Sequence, residues 1–112
     1  MRALVYDELR RVDIQRLAER LAQVCLPSNL DGVYWLNLPP DLLSPEQAAH
    51  PDCGPHRVAL VLEPENESLR LELLVRASNS LRCACTAYAT EAQRRFMLNF
   101  LDKLVAELDL RT

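Results

Sequence analysis

The segment 50–56 concentrates side chains that can bind a metal ion. It reads His-Pro-Asp-Cys-Gly-Pro-His, which places His50, Cys53 and His56 at equal intervals. Imidazole nitrogen and thiolate sulfur are common ligands of Zn²⁺ in proteins. Cys83 and Cys85 offer two more thiols further along the chain. These five candidates exceed the four ligands that a tetrahedral zinc site needs.

The first five residues of this segment, from His50 to Gly54, resemble one half of a zinc knuckle. In such a turn two ligands are separated by two residues, and the glycine after the second can take a positive φ where the chain curls back. A histidine stands here where a knuckle usually has cysteine. The resulting hypothesis is a zinc domain with three ligands from the loop and a further one from the Cys83/Cys85 pair.

The Cys83/Cys85 pair also has a simpler interpretation. In a regular strand, side chains two positions apart have Cβ atoms roughly 6–7 Å from each other. Two thiolates that each bind one zinc at about 2.3 Å must lie closer, so the metal hypothesis requires a bulge or bend here. Without one, the two cysteines share a strand face with Leu81 and Ala87. They would then be core residues, as free cysteines commonly are.

Other reactive chemistry has little support in the sequence. It contains no G-x-S-x-G, no H-E-x-x-H, no Gly-rich phosphate loop and no C-x-x-C pair. Cys25 falls on the apolar side of a predicted helix and is interpreted as a core residue. A nucleophilic Cys–His pair can be drawn, but no feature favours it. A small enzyme of unknown reaction is therefore our third hypothesis, and the sequence leans against it.

The composition is that of an ordinary globular domain. The chain has 112 residues, of which 49% are hydrophobic and 26% charged, enough for one core without staples. No stretch approaches the roughly 18 apolar residues of a membrane helix, and residues 1–11 lack the apolar run of a signal peptide. We predict a single α+β domain over residues 1–112, located in the cytoplasm, with cysteines as thiols or metal ligands.

The charge balance bears on the class of partner. The formal net charge is −3, which disfavours nucleic acid because its binding depends on neutralising phosphates. The predicted order α-β-β-β-α, with Gly54-Pro55-His56 before a strand, resembles double-stranded RNA binding domains. That resemblance implies a lysine-rich start of the last helix, where this chain has only Arg94 and Arg95. RNA binding is therefore not carried over to this chain.

Hydrophobic periodicity predicts two long helices. Apolar residues at three- and four-residue steps indicate a helix that begins at Asp13, its expected N-cap, and ends before Pro27. A second stripe indicates a helix from about residue 91 to 108. Residues 44–47 and 90–93 are capping boxes, which predicts a short helix after the first and the start of the last helix at the second.

Alternating and β-branched segments predict an antiparallel sheet. The strands are expected at residues 33–38, 57–63, 69–77 and 81–88, with residues 1–6 as a fifth strand at an edge. Short connections favour hairpins, so the strands should form a meander. The predicted fold is a two-layer α+β sandwich, in which the N- and C-terminal helices pack on one face of a sheet of four or five strands.

This arrangement leaves the second face of the sheet without a helix. Arginines and apolar side chains interleave there, and arginine and aromatic residues are enriched at protein interfaces. Our leading functional hypothesis is a non-catalytic module for protein interaction or homodimerisation that uses this face, with the zinc domain as the alternative. The residues expected on this surface are Trp35, Arg57, Val61, Arg70, Leu74, Arg76, Arg82 and Tyr88.

Overall fold

A computed structural model describes residues 1–80 and 83–112 of the protein. Within these residues the helices are α1 (Arg11–Val24), α2 (Pro45–Ala48) and α3 (Glu91–Leu108). The strands are β1 (Ala3–Tyr6), β2 (Leu26–Pro27), β3 (Val33–Asn37), β4 (His56–Glu63), β5 (Ser68–Glu72), β6 (Leu74–Ala77) and β7 (Ala87–Tyr88). Among the helices so described, none is long and apolar enough to cross a lipid bilayer.

The strands form one antiparallel sheet with the order β1-β5-β4-β3-β2. Strands β3, β4 and β5 make the predicted meander. The N-terminal strand β1 adds to the outer edge of β5, as expected for a fifth strand, and the two-residue β2 pairs with β3 at the other edge. Strand β6 pairs with one end of β4 and with β7. The predicted α+β class is therefore confirmed.

The core lies between one sheet face and the two long helices, which contact each other. Val58, Leu60 and Leu62 alternate along β4 and are all buried, as the pattern predicted. Burial of each such side chain stabilises the fold by about 1.5–3 kcal/mol. The helices contribute the buried residues Ile14, Leu17, Leu21, Met97, Leu101, Leu104 and Leu108 to the same cluster.

Asp13 was expected to cap α1, and this prediction is wrong. The helix begins two positions earlier, and Asp13 lies inside its first turn with a fully buried side chain. Its carboxylate accepts hydrogen bonds from Arg10 (2.9 Å) and Arg16 (3.2 Å) and from the backbone N–H of Arg111 (3.4 Å). The Asp13 carboxylate therefore accepts hydrogen bonds from arginine side chains and from the C-terminal tail, and not from the helix N–H groups that an N-cap residue would bind. The bond with Arg10 lowers the pKa of Asp13 below its usual value.

The strand predicted at residues 69–77 is interrupted by a bulge around Leu73. Val58 and Ala59 of β4 stand opposite the four residues 72–75 of the partner strand. Leu73 instead donates its N–H to the Arg2 carbonyl (2.9 Å) and accepts from the Ala89 N–H (2.8 Å). A bulge bends its strand, and here the bend separates β5 from β6, which goes on to pair with β7.

The strand predicted at residues 81–88 is mostly absent from the part of it that the structure describes. Leu81 and Arg82 lie outside the described residues. Residues 83–86 form a turn in which the Thr86 N–H donates to the Cys83 carbonyl (3.1 Å), and only β7 has strand geometry. The carbonyl of Cys85 accepts from a side chain, Gln47 Nε2 (3.2 Å). The apolar alternation of this segment therefore does not reflect a strand face.

Candidate metal centre

The loop that follows α2 is fastened to the loop that follows β6. Asn79 donates its backbone N–H to the Cys53 carbonyl (3.1 Å) and its side-chain Nδ2 to the Gly54 carbonyl (3.0 Å). The Ser78 N–H donates to the Pro55 carbonyl (3.3 Å). Segments far apart in the chain are thereby held together, and each carries candidate metal ligands.

His50 is positioned by the short helix α2. The capping box expected there is present: Gln47 N–H donates to Ser44 Oγ (3.2 Å), and Ser44 N–H donates to Gln47 Oε1 (3.0 Å). His50 follows the helix, and its Nδ1 lies 2.6 Å from the Glu46 carbonyl, which raises the pKa of the imidazole. In the tautomer whose Nδ1–H donates to this carbonyl, Nε2 keeps a free lone pair. Metal-binding histidines are usually oriented by such a bond.

Cys83 and Cys85 are brought together by the turn at residues 83–86. Their Sγ atoms lie 2.7 Å apart, and the Cys85 N–H donates to Cys83 Sγ (3.3 Å). The bend that two thiolates on one metal require is therefore present. One donor atom each from His50, Cys83 and Cys85 lies within 4.8 Å of the other two, so these three side chains could hold a metal ion.

Cys53 adjoins this three-residue group. It is half-buried at the end of the turn formed by Pro51–Cys53 and lies outside the group of three whose donor atoms are within 4.8 Å of one another. Interaction with the thiol of Cys83 is the main reason why the pKa of Cys53 is raised. We call His50, Cys53, Cys83 and Cys85 together the Cys/His cluster.

His56, the remaining ligand candidate, does not join the cluster among the described residues. It is the first residue of β4, pairs with Ala77 and is only 3% exposed. Burial lowers the pKa of its imidazole, and its Nε2 has no hydrogen-bond partner in the described part of the chain. The structure thus places the two histidines of one short segment in different surroundings.

Gly54 was expected to take a positive φ, and this prediction is wrong. Its φ is −74° and its ψ is 176°, an extended conformation that any residue adopts. The chain turns back through the preceding 3-10 turn, in which the Gly54 N–H donates to the Pro51 carbonyl (3.2 Å). A Cβ at position 54 would lie 3.4 Å from that carbonyl oxygen, an ordinary van der Waals contact, so neither the backbone angles nor the packing requires glycine here.

The thiols of the cluster differ in how readily they ionise. Burial, followed by the hydrogen bond with the thiol of Cys83, raises the pKa of Cys85 to about 12. The pKa of Cys83 is lowered because its sulfur accepts hydrogen bonds from the thiol and the backbone N–H of Cys85. Cys25 lies apart in the core, as predicted, and burial raises its pKa to about 11. Cys83 is therefore the thiol best prepared to bind as a thiolate.

Two buried glutamines that sequence reasoning missed support the turn at residues 83–86. Gln47 Nε2 donates to the Cys85 carbonyl (3.2 Å), and Gln93 Nε2 donates to Gln47 Oε1 (2.9 Å) and to the Leu42 carbonyl (2.9 Å). Each glutamine also closes a capping box, at the start of α2 and of α3. The capping boxes were a local signal for both residues, but nothing in the sequence showed that they meet.

The interaction surface predicted from the sequence is partly gathered in one groove on the outer face of the sheet. Trp35, Arg57, Val61, Arg70 and Arg76 line it together with neighbouring residues, and none of the helical residues of the described chain does. Leu74 and Tyr88 instead pair with each other across β6 and β7. Arg82 lies outside the described residues.

The Cys/His cluster contains three thiols and one imidazole from two segments of the chain, and the donor atoms of His50, Cys83 and Cys85 lie within 4.8 Å of one another. A Cys₃His set is one of the usual ligand sets of structural zinc. Comparisons of the chain with models of protein families, with curated proteins and with solved structures gave no significant match.

Proposed function

We propose that the protein is a small zinc-binding domain in which His50, Cys53, Cys83 and Cys85 hold one Zn²⁺. The observation that carries this proposal is the meeting of three donor atoms within 4.8 Å, with a third thiol, that of Cys53, beside them. The supporting bond from His50 Nδ1 to the Glu46 carbonyl is what a histidine that binds through Nε2 requires.

The type of donor atom favours zinc over other metals. Calcium and magnesium prefer oxygen ligands, and the cluster supplies sulfur and imidazole nitrogen. Four protein ligands complete a tetrahedron and leave no open position for water or substrate. The expected role of the ion is therefore to stabilise structure, which agrees with the absence of a catalytic motif from the sequence.

The positions of the ligands explain what the ion would stabilise. His50 and Cys53 precede β4, whereas Cys83 and Cys85 follow β6, so zinc would close a loop that contains the centre of the sheet. Closing a long loop removes conformational freedom mainly from the unfolded chain. Because a formed site does not persist in the unfolded state, the free energy of metal binding adds to the free energy of folding.

Elemental analysis of protein purified without chelator tests the proposal. We expect about one zinc per chain, with most of it lost in Cys83→Ser. Cys25→Ala, which changes a buried cysteine outside the cluster, is the matched control and should keep its zinc. A zinc content far below one equivalent in the unmodified protein would overturn the proposal.

Cobalt substitution reports which atoms bind. Co²⁺ in a Cys₃His site gives thiolate-to-metal charge-transfer absorption that grows with the number of bound thiolates. Cys53→Ser should lower this absorption by about one-third while a metal remains bound, since two thiolates and the imidazole are still present. An unchanged spectrum would remove Cys53 from the ligand set.

A further inference from the structure

The outer face of the sheet carries a groove with a cavity volume of about 470 Å³. Its lining alternates along the strands with the core residues, so it faces away from α1 and α3. We call it the outer-sheet groove, and the residues on which its chemistry depends are Trp35, Arg57, Val61, Arg70, Arg76 and Ser78.

The charge of the outer-sheet groove is positive, although the whole chain has a formal net charge of −3. Arg70 pairs with Glu63 at 2.9 Å, and Arg76 reaches Glu72 at the longer distance of 3.4 Å. Within the described residues, Arg57 has no carboxylate within ion-pairing distance. The groove therefore has one guanidinium more than the carboxylates that neutralise it.

Several donors in the groove lack acceptors. The Nε atoms of Arg57 and Arg70 and the Oγ atom of Ser78 are buried, and none has a hydrogen-bond partner in the described part of the chain. Buried polar groups in folded proteins are nearly always hydrogen-bonded, so each such group requires an explanation. Because these atoms are enclosed, it is the excess guanidinium charge of the groove that indicates a ligand with acceptor oxygens.

The other part of the groove is apolar. The guanidinium carbon of Arg57 lies 4.0 Å from the centre of the Trp35 ring, in a cation–π contact. Val61 and the buried Ala59 lie beside this pair. An aliphatic side chain fits this surface next to a group that binds the guanidinium.

We propose that the outer-sheet groove binds an acidic peptide segment of a partner protein. Carboxylates of the segment pair with Arg57 and Arg76, and an aliphatic side chain packs on Trp35 and Val61. This inference goes beyond the zinc-binding function and does not depend on it, because none of the groove residues named above belongs to the Cys/His cluster.

Charge selects this occupant over two others. A long nucleic acid would be repelled by the net negative charge of the chain, whose single lysine, Lys103, lies on α3. In a twofold homodimer, the same patch meets itself, which would place the unpaired Arg57 of each copy near that of the other. A peptide that brings its own carboxylates and an aliphatic residue meets both parts of the groove.

The test is an NMR titration of the ¹⁵N-labelled, zinc-replete protein with the peptide acetyl-Glu-Glu-Leu-Glu-Glu-amide. We expect shifts of the Trp35 indole N–H and of the backbone amides of residues 57–61 and 76–78, and a smaller effect at higher salt. The same peptide with glutamine in place of every glutamate is the control ligand and should cause little change.

Arginine variants assign the binding to the groove. Arg57→Gln and Arg76→Gln should each weaken the affinity about tenfold, because each removes charge-assisted hydrogen bonds. Arg94→Gln, an equal change of charge on the exposed side of α3, should leave the affinity within about twofold. The spectra show directly whether each variant is folded.

The inference would be overturned if millimolar peptide caused no shifts in the groove, or if the glutamine peptide bound equally well. It would also be overturned if a single-stranded oligonucleotide bound more tightly than the acidic peptide, or if the protein formed a dimer that buries the groove. Zinc is measured in the same samples. A failure with zinc fully bound therefore counts against the groove alone, and binding by a protein that holds no zinc counts against the metal site alone.

Discussion

At the scale of residues, His50 and His56 show how little spacing alone decides. Both stand three positions from Cys53, and the sequence offered both as ligands. The Glu46 carbonyl orients His50 beside the thiols, whereas His56 lies in the sheet and is buried. Only the backbone path, which makes position 56 the first residue of β4, separates the two roles.

Histidine variants should reproduce this difference. His50→Ala should lower zinc affinity by more than about tenfold, the loss expected for even a supporting residue of a metal site. His56→Ala should lower the free energy of unfolding but leave zinc affinity unchanged. Competition with a chromophoric chelator measures the affinity. Equal losses of affinity in the two variants would contradict the assignment.

Asp13 makes stability depend on pH in acid. Its pKa is lowered in the folded protein, chiefly by the hydrogen bond with Arg10. A lowered folded-state pKa means that the stabilisation is complete above the unfolded value of about 4 and is lost as the pH falls through the folded value. Asp13→Asn should therefore be less stable than the unmodified protein at pH 7, with the difference narrowing towards pH 3.

Urea unfolding between pH 7 and pH 3 measures this difference. Protonation of the Cys/His cluster, which both proteins share, affects them alike, so the difference between them isolates Asp13. Asp41→Asn, which changes an exposed carboxylate, is the control and should follow the unmodified protein throughout. If the unfolding free energies of Asp13→Asn and of the unmodified protein change in parallel with pH, the arginines do not lower the pKa of Asp13 in the folded protein.

At the scale of elements, the two capping boxes were reliable signals, whereas Asp13 as a helix cap and the alternation of residues 81–88 were not. The two capping boxes and the stripe of α3 depend on residues within a few positions, and all are confirmed. The strand expected at residues 81–88 was wrong because a turn can give the same alternating pattern as a strand. Here the turn places the sulfurs of Cys83 and Cys85 against each other. The bulge at Leu73 depends on β1 and on Ala89, which are distant in sequence.

The contact between the capping boxes leads to a prediction about Gln47. Gln47→Ala leaves the Cys85 carbonyl and one Gln93 N–H without this partner in a buried place. The cost should be about 1–3 kcal/mol of unfolding free energy, and zinc affinity should fall about tenfold because the turn loses its support. Gln23→Ala, on the exposed side of α1, should change neither quantity. A loss of stability with unchanged zinc affinity would separate the glutamines from the site.

At the scale of the whole molecule, composition predicted a core that is stable without a metal or a disulfide. The apolar cluster joins both long helices to the sheet, and none of the ligands in the Cys/His cluster except Cys85 is fully buried. The fold class could be predicted from periodicity because the apolar face of each helix must be buried, and the sheet is the surface that can bury it. The contact between the two distant turns could not be predicted, because neither turn has a sequence pattern that indicates its partner.

Zinc removal should therefore loosen one end of the molecule and leave the core folded. A strong chelator should lower the melting temperature by more than about 5 °C, since about 1 kcal/mol of lost binding corresponds to roughly 4–8 °C in a domain of this size. Amide hydrogen exchange should rise at residues 50–55 and 83–88. The amides of Leu60 in β4 and Leu104 in α3 should stay protected, because both lie in the apolar cluster. If exchange rose over the whole chain, the core itself would depend on the metal. If exchange did not change anywhere, the ion would not stabilise the structure.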